Sequence, residues 1–402
     1  MVAEVVQNVN WSARQGPGTV VRMTTTLDST STDARFVALA AEVGRRAAAT
    51  DAEHDRDATF VTEAYDAMRE TGYLGLAVPE ELGGLGASWR QVVLAQHELA
   101  RWSGSAALAS AMHQYLTLVQ RWRHHRDAPG AEAVLRRVAD EGIVLATSGG
   151  SDWVSPTTTA VEVEGGFLLT GRKSFCSQAP GATVLATSAV LGEAGPDAEV
   201  LHASVPFSSS GLTLVDTWDT LGMRGTASQD VVLQDVFVPA ERVLGRRPYG
   251  QLAGPLLVAV LHFAPVIAGV YLGIAQGAYD EALRLTAAKS APPPGAVRQL
   301  GEMQARLRVA RWGVLGALEE VGEYPDADTT PMRTVLVAKR HAVLEAVAVT
   351  DIGLQVAGGP AFYRRSPLER AYRDVRGGPF HPTTPEATLA DIGEAALAAA
   401  RG

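Results

Sequence analysis

GRKSFCSQAPG, residues Gly171–Gly181, lies within a run of alternating apolar and polar residues that spans residues 143–243. The segment VEVEGGFLLTG, which ends where this one begins, has the period of two and the central Gly-Gly pair of a β-hairpin. In the strand that follows, Phe175 and Ser177 are predicted to share one face, because side chains alternate along a strand. An aromatic ring beside a hydroxyl can cover a flat heterocycle and hydrogen-bond one of its ring nitrogens. The alternative interpretation is an ordinary sheet position with a satisfied serine.

Helical periodicity flanks this β region on both sides. Before it, apolar residues recur at i, i+3, i+4 and i+7, and the Gly-rich stretch Val78–Ser88 interrupts the pattern. The pattern is helical again from Gln251, with a Pro-rich break at Ser290–Ala296. Between these regions the sequence predicts the strands Ile143–Ser148, Thr158–Gly165, Gly166–Gly171, Thr183–Val190, Val200–Pro206, Thr213–Trp218 and Asp230–Val238.

This order of elements predicts an α+β protein made of three units. They are a helical N-terminal domain (35–142), a small central β-barrel or sandwich (143–250) and a C-terminal helical bundle (251–402). Residues 1–34 are rich in Ser, Thr, Val and Gln, so we expect a disordered tail there, with Met23 as an alternative start of translation.

Composition and charge narrow the possible functions. The 402 residues are 47% hydrophobic and 20% charged, which is typical of a soluble globular protein. The net charge of -9 argues against nonspecific binding to nucleic acid, which needs a basic surface.

Cys176 is the single cysteine, so no intrachain disulfide is possible and a cytoplasmic location is expected. His262 and Pro265 interrupt the most apolar stretch, which argues against a membrane span, and no His, Cys, Asp and Glu cluster has metal-ligand spacing.

Five segments, in order, carry a resemblance to a known family. They are LGLAVPEELGGLGAS (Leu74–Ser88), ATSGGSDW (Ala146–Trp153), GRKSFCSQAPG, LGMRGTASQDVVLQDVFVPAERVLG (Leu221–Gly245) and LQVAGGPAFYRRSPLERAYRDVR (Leu354–Arg376). Together they resemble the acyl-CoA dehydrogenase superfamily over nearly the whole chain after residue 35. This resemblance implies a four-helix bundle at the C-terminus and a bound flavin.

The resemblance also implies which residues contact that flavin. Thr147 and Ser151 would contact its ribityl and pyrimidine side. Phe175 would lie over the isoalloxazine ring, and Ser177 would donate a hydrogen bond to N5. Many members bind the FAD pyrophosphate with an Arg-x-Gln-Phe-Gly motif, where this chain has AKSAPPPGAVRQ. A Pro-rich loop offers few backbone donors, so FAD and FMN both remain open.

A second group of matching residues implies a shared interface. Gln355, Gly358 and Gly359 resemble the segment that reaches the flavin of a neighbouring subunit, and Thr384 matches a threonine near the cofactor. The resemblance therefore implies a homodimer or homotetramer. The alternative for the two glycines is a plain helix C-cap.

The family's catalytic carboxylate has no counterpart at the matching positions. Acyl thioester oxidation needs a base for the α-proton, usually the Glu of a Tyr-Glu-Gly-Thr motif. Here His381 and Pro382 stand at the Tyr and Glu positions. Other members carry the base on the first long helix of the C-terminal bundle, where this chain has Phe263 followed by Ala264. Glu386 is the nearest other carboxylate, but it matches a different family residue.

One branch of the superfamily, the flavin-dependent monooxygenases, needs no such base. There, reduced flavin from a separate reductase reacts with O₂ to give a C4a-hydroperoxide, which oxidises the bound substrate. His381 matches a histidine of the dibenzothiophene-oxidising type, and His113 is the match for a second one; with Ser177 they form the expected catalytic set. His262 and Phe263 are expected to contact a small, largely apolar substrate.

Two other functions remain open at this point. One is an acyl-CoA dehydrogenase with a non-standard base, and the other is a flavin-binding protein without catalysis. His113 has the alternative role of a core histidine bonded to backbone, and His381 that of a turn residue. Bleaching of the flavin by an acyl-CoA would identify the dehydrogenase. Failure to bind any flavin would leave only a protein without flavin catalysis.

Overall fold

The N-terminal unit of the structure is made of helices. The computed structural model describes residues 31–401, so most of the tail expected at residues 1–34 lies outside the described part, while residues 31–34 belong to the first helix. α5 is buried along nearly its whole length and packs against the other two units. The helices are α1 (Ser31–Ala48), α2 (Asp51–Asp57), α3 (Thr62–Glu70), α4 (Trp89–Trp102), α5 (Gly104–His124) and α6 (Ala131–Glu141).

The central unit is a mixed sheet, which has eight strands among the described residues. The strands are β1 (Leu145–Thr147), β2 (Thr159–Val163), β3 (Gly166–Cys176), β4 (Val184–Leu191), β5 (Glu199–Pro206), β6 (Leu212–Val215), β7 (Gln229–Pro239) and β8 (Val243–Pro248). Their order is β6-β7-β3-β2-β4-β5-β8, and β1 pairs with β4 in parallel. The inward side chains of β2, β3, β4, β5 and β7 share one hydrophobic core, so the sheet curls around it. β8 was not predicted, because VLGRRP does not alternate.

The strand that carries Phe175 departs from the expected alternation. β3 continues through Gly171 to Cys176, and its pairing with β7 has an irregularity between Lys173 and Cys176. Phe175 has φ of 58°, in the left-handed region. Lys173 is consequently fully buried while the Phe175 ring is 56% exposed. The prediction that Phe175 and Ser177 share a face was wrong, because this bulge turns the ring outward and Ser177 inward.

The C-terminal unit is a bundle in which α7 is the central helix. Its helices are α7 (Gly254–Ala287), α8 (Pro294–Val321), α9 (Thr329–Ala357), α10 (Pro367–Asp374) and α11 (Pro385–Arg401). α7 packs against α9, α8, α4 and α5. This helix is long and apolar enough to cross a membrane, but 94% of its most apolar window is buried inside the protein. Its hydrophobicity is therefore that of a core helix.

Arg373 on α10 connects the three units. Its guanidinium donates two hydrogen bonds to the carboxylate of Asp55 on α2, at 2.8 and 2.6 Å, and one to the backbone oxygen of Leu221, at 3.1 Å. It also donates to Glu369 one turn away, at 2.7 Å. Asp55 and Arg373 are both buried. Loss of the arginine would leave a buried carboxylate without its partner, which is costly.

We therefore predict that Arg373→Leu lowers the free energy of unfolding by about 3–5 kcal/mol, the usual cost of removing one partner of a buried ion pair. Urea unfolding followed by circular dichroism measures this change. The exposed pair Arg298–Glu302 on α8 offers the matched control, and Arg298→Leu should change stability by less than about 1 kcal/mol. Equal effects of the two substitutions would contradict the assignment.

Candidate functional site

The Ala146–Trp153 stretch, the Gly171–Gly181 stretch and the loop with His381 meet at two adjacent glycines. A side chain at Gly149 would lie 2.7 Å from Cβ of Phe175, and one at Gly150 would lie 2.2 Å from the Pro382 ring. The backbone after β1 is thus in direct contact with the bulge of β3 and with the loop before α11. Only glycine permits this approach.

Phe175 presents an aromatic face at this junction. Its exposed ring lies edge-on to Trp218, with the centroids 5.8 Å apart. An exposed aromatic ring held in a strained backbone conformation is typical of a surface that receives a flat ligand.

A chain of buried hydroxyls begins at Ser177, two residues after Phe175. The Ser177 and Ser228 hydroxyls are 2.8 Å apart, and those of Ser228 and Thr226 are 2.7 Å apart. The Thr226 hydroxyl also lies within 2.9 Å of the backbone oxygen of Met223, to which it donates. Each hydroxyl carries one proton, and that of Thr226 goes to Met223, so Ser228 donates to Thr226 and Ser177 donates to Ser228. This leaves the Ser177 oxygen to accept a hydrogen bond from a ligand.

A cavity of about 330 Å³ opens between α5, the sheet and the start of α7. Thr147 and Ser148 line its inner end together with Tyr115 and Trp153. Most of the remaining wall is apolar, formed by residues such as Leu116, Val119, Leu256, Val258 and Ala259.

Phe263 lies behind the rings that line the inner end of this cavity. Its ring is edge-on to Tyr115 at 5.3 Å and to Trp153 at 5.1 Å, and it contacts the His381 ring on its other side, at 5.7 Å. Phe263 is fully buried. Phe263 does not itself line the cavity, because the rings of Tyr115 and Trp153 stand between them. Its contact with a substrate stays a prediction.

His381 lies at the end of this chain of rings. The Tyr271 hydroxyl is 2.8 Å from its Nε2. Burial, and secondarily the neighbouring Lys339 ammonium, lower the pKa of His381 to about 3. The ring is therefore neutral at pH 7, and in the tautomer in which Tyr271 donates to Nε2 the proton of the ring is on Nδ1. His381 can act as a hydrogen-bond donor, whereas the sequence had suggested a group that titrates near neutral pH.

Lys339 fixes the loop that carries His381. Its buried ammonium donates to the backbone oxygens of His381, at 2.6 Å, and Thr383, at 2.9 Å. Burial lowers the pKa of Lys339 to about 7. Sequence reasoning missed both Lys339 and Tyr271. No local pattern marks Lys339, because Arg340 and His341 follow it directly.

The other two candidate histidines are bonded to backbone. His113 is fully buried, its Nε2 lies 2.8 Å from the Leu74 oxygen, and its Nδ1 accepts from the Leu145 amide at 3.1 Å. Both ring nitrogens are occupied, so the geometry gives His113 the structural role. His262 stacks on Trp89 at 4.8 Å and does not line the cavity, contrary to the expected substrate contact. Its neighbour Phe263 is the residue on the side of the site.

The remaining predicted residues lie away from the junction or start a helix. Gln355 is exposed and accepts from Gln299 at 3.0 Å, and the positions of Gly358 and Gly359 face open space. Thr384 accepts from the Ala387 amide at 3.3 Å, so it caps α11. The side chain of Ser151 lies outside the described part.

Comparison with known proteins gives matches along nearly the whole chain. Models for the N-terminal, middle and C-terminal domains of acyl-CoA dehydrogenase match residues 31–123, 146–236 and 265–385. The amino sugar nitrososynthase DnmZ of Streptomyces peucetius is 34% identical over 352 residues, which cover 82% of this chain and 85% of that protein.

Two further relatives are similar over more of the chain. The dibenzothiophene monooxygenase of Rhodococcus qingshengii is 29% identical over 401 residues, covering 90% of this chain and 93% of that protein. The X-ray structure of KijD3 in complex with FMN and dTDP-3-amino-2,3,6-trideoxy-4-keto-3-methyl-D-glucose has a TM-score of 0.82 and 31% identity. It covers 92% of this chain and 95% of that one.

The buried histidines predict an acid-sensitive fold. Burial lowers the pKa of His113 and His262 to about 4, from 6.5. Between pH 6.5 and 4 the unfolded chain binds protons on these residues that the folded chain does not. The free energy of unfolding should therefore fall as the pH drops through this window, by about 1.4 kcal/mol per pH unit for each such histidine. Urea unfolding at a series of pH values measures the slope, and His113→Gln should reduce it. A stability that stays constant from pH 6.5 to 4 would contradict this.

Proposed function

The chain belongs to the acyl-CoA dehydrogenase family, and within this family we propose that it is a flavin-dependent monooxygenase that oxidises a small substrate. The proposal rests on the residues that pack around His381. The positions where the family has its carboxylate base hold Pro382 and Phe263, which pack against Gly150 and against three aromatic rings. A base for an α-proton is missing there, and oxygen chemistry does not require one.

The junction around Phe175 fits a flavin. The exposed ring offers a stacking face, the buried Ser177 hydroxyl follows two residues along the chain, and the backbone at Gly149 can approach a ligand closely. KijD3 is described with FMN, and we propose FMN for this chain as well. When bound and reduced, the flavin would supply electrons that activate O₂, with the C4a-hydroperoxide expected from the sequence as the oxygen donor.

The chain's own residues then orient and protect the reaction. His381 would offer its Nδ1 proton as a hydrogen-bond donor, held in that tautomer by Tyr271. The rings of Phe263, Tyr115 and Trp153 exclude water from the space between His381 and the cavity. Water exclusion favours oxygen transfer over loss of peroxide.

A neighbouring subunit would complete the cofactor site. Near Gln355, Gly358 and Gly359, the Phe362 ring is 86% exposed, and the Phe380 ring in the loop before His381 is 83% exposed. Large apolar side chains with such exposure are typical of surfaces that another chain covers. We propose a homodimer or homotetramer, located in the cytoplasm and supplied with reduced flavin by a separate reductase.

The test of the proposal is a coupled assay with an NADH-dependent flavin reductase, FMN and O₂. Dibenzothiophene and a dTDP-linked 3-amino sugar are the substrates to offer first, because relatives act on or bind such molecules. We expect an oxygenated product whose formation requires FMN and O₂. Anaerobic bleaching of the bound flavin by acyl-CoA thioesters, without any oxygenated product, would instead support the dehydrogenase alternative.

We also predict that Tyr271→Phe reduces product formation about tenfold, the effect of losing one hydrogen bond worth about 1.4 kcal/mol. NADH consumption should be unchanged while hydrogen peroxide release rises. The variant no longer fixes which ring nitrogen of His381 carries the proton, but the fold stays intact. Tyr372→Phe, on α10 beside Arg376, is the matched control. A Tyr271→Phe variant with the normal ratio of product to peroxide would contradict the positioning role.

A further inference from the structure

The cavity is long, and its two ends differ in polarity. It follows α5 from Tyr115 at the closed end to Arg123 near the mouth. Eight residues of helix span about 12 Å, at 1.5 Å per residue. Between these ends the α5 wall is mostly apolar, formed by Leu116, Val119 and Trp122, and Gln120 is its polar member. A ligand that fills the cavity therefore has an apolar body and meets a cation where it emerges.

Arg123 has unused hydrogen-bond donors. It donates to the Gln120 side chain at 3.3 Å and to the Pro129 oxygen at 3.2 Å, and it forms no ion pair with a carboxylate of residues 31–401. Burial lowers the pKa of its guanidinium from the usual value. A guanidinium has five N–H donors, so those that remain can bind a carboxylate or phosphate in the fork geometry typical of arginine.

The two acidic residues near the mouth already interact with groups other than Arg123. Asp326 and Asp328 flank Ala327, which lines the cavity. Asp326 lies 3.6 Å from the guanidinium of Arg126 and is largely exposed, while Asp328 caps α9 through the Thr329 amide. Neither compensates the charge of Arg123.

The sheet wall adds a second, neutral donor. His202 lines the cavity, and its Nε2 accepts from Nε of Arg247 at 3.0 Å. Burial, together with the Arg247 charge, lowers the pKa of His202 to about 3, so the ring is neutral and its proton is on Nδ1. Within the described part of the chain, Nδ1 of His202 has no hydrogen-bond partner.

Arg247 is itself fixed in place. Its guanidinium donates to the backbone oxygens of Val154 and Gln251, both at 3.0 Å, and of Trp153. It therefore holds the His202 ring in one orientation and adds a second positive charge to this side of the cavity.

We propose that the cavity recognises an anionic substrate with an apolar body. Arg123 binds the anionic group at the mouth, His202 donates from Nδ1 to an acceptor along the body, and the atom to be oxidised lies at the Tyr115 and Thr147 end. This proposal rests on the proposed function in that it takes the cavity as the substrate site. It replaces the largely apolar substrate expected from the sequence by an amphipathic one.

The same chemistry can come from a nucleoside diphosphate or from a simple aromatic acid. dTDP and phenyl phosphate are the probes that distinguish them, and indole is the neutral control of similar shape to the aromatic probe. If dTDP binds more tightly than phenyl phosphate, the substrate is nucleotide-linked. If the two probes bind with equal affinity, the substrate is a small aromatic anion. Either result supports the anion site.

The experiment is isothermal titration of these probes into the full-length protein without flavin, so that it is independent of oxygen chemistry. We expect Arg123→Met to weaken the binding of the anionic probes about 10- to 100-fold, the effect of losing a charged hydrogen bond. Indole binding should change less than about twofold. Arg123→Lys should retain part of the affinity, and Arg136→Met, on the exposed Arg136–Glu132 pair of α6, is the matched control.

Two results would overturn the proposal. One is failure of both anionic probes to bind the wild-type protein more tightly than indole. The other is unchanged affinity in an Arg123→Met variant whose circular dichroism is normal. If that variant does not fold, the salt dependence of wild-type binding decides, since an anion held by Arg123 must bind more weakly at high ionic strength. Anion binding without any oxygenated product would count against the proposed function alone.

Discussion

The buried ion pair between Lys173 and Asp152 is the interaction on which both walls of the site depend. The Lys173 ammonium lies 2.5 Å from a carboxylate oxygen of Asp152 and 2.5 Å from the backbone oxygen of Ser188. Asp152 also accepts from the Ser148 hydroxyl at 3.0 Å. A charge this deeply buried is tolerated only when its partners are all in place. The pair therefore fixes β3, the loop after β1 and β4 relative to one another, and the bulge of β3 then directs Phe175 outward.

Two lone cations organise the rest of the site in a similar way. Lys339 holds the His381 loop through backbone oxygens, and Arg247 holds His202 and the loop after Trp153. Neither cation has a carboxylate partner within the described residues. Buried cations bound only to neutral acceptors have strict geometric requirements, so they hold the two neutral histidines in fixed positions. The site is thus rigid around its donors and apolar elsewhere, which suits a reaction that must exclude water.

Much of the fold followed from the sequence. The helical periodicity predicted the helical units on both sides of the sheet, and the alternation located all strands except β8. The bulge at Phe175 could not be predicted, because the left-handed conformation there depends on pairing with β7 and not on the local residues. For the candidate site, motif resemblance predicted Thr147, Phe175, Ser177 and His381, and their roles stay predictions. Tyr271 and Lys339 act through contacts more than forty residues away in sequence, which no local pattern contains.

The central claim is that this chain replaces proton abstraction from an acyl thioester by oxygen activation on a reduced flavin. The most direct test is to mix the anaerobically reduced FMN complex rapidly with oxygenated buffer and to follow the absorbance. We expect a transient spectrum that belongs to neither reduced nor oxidised FMN and that decays faster in His381→Ala. Direct conversion of reduced to oxidised FMN without such a transient, together with reduction of the oxidised complex by an acyl-CoA, would contradict the account.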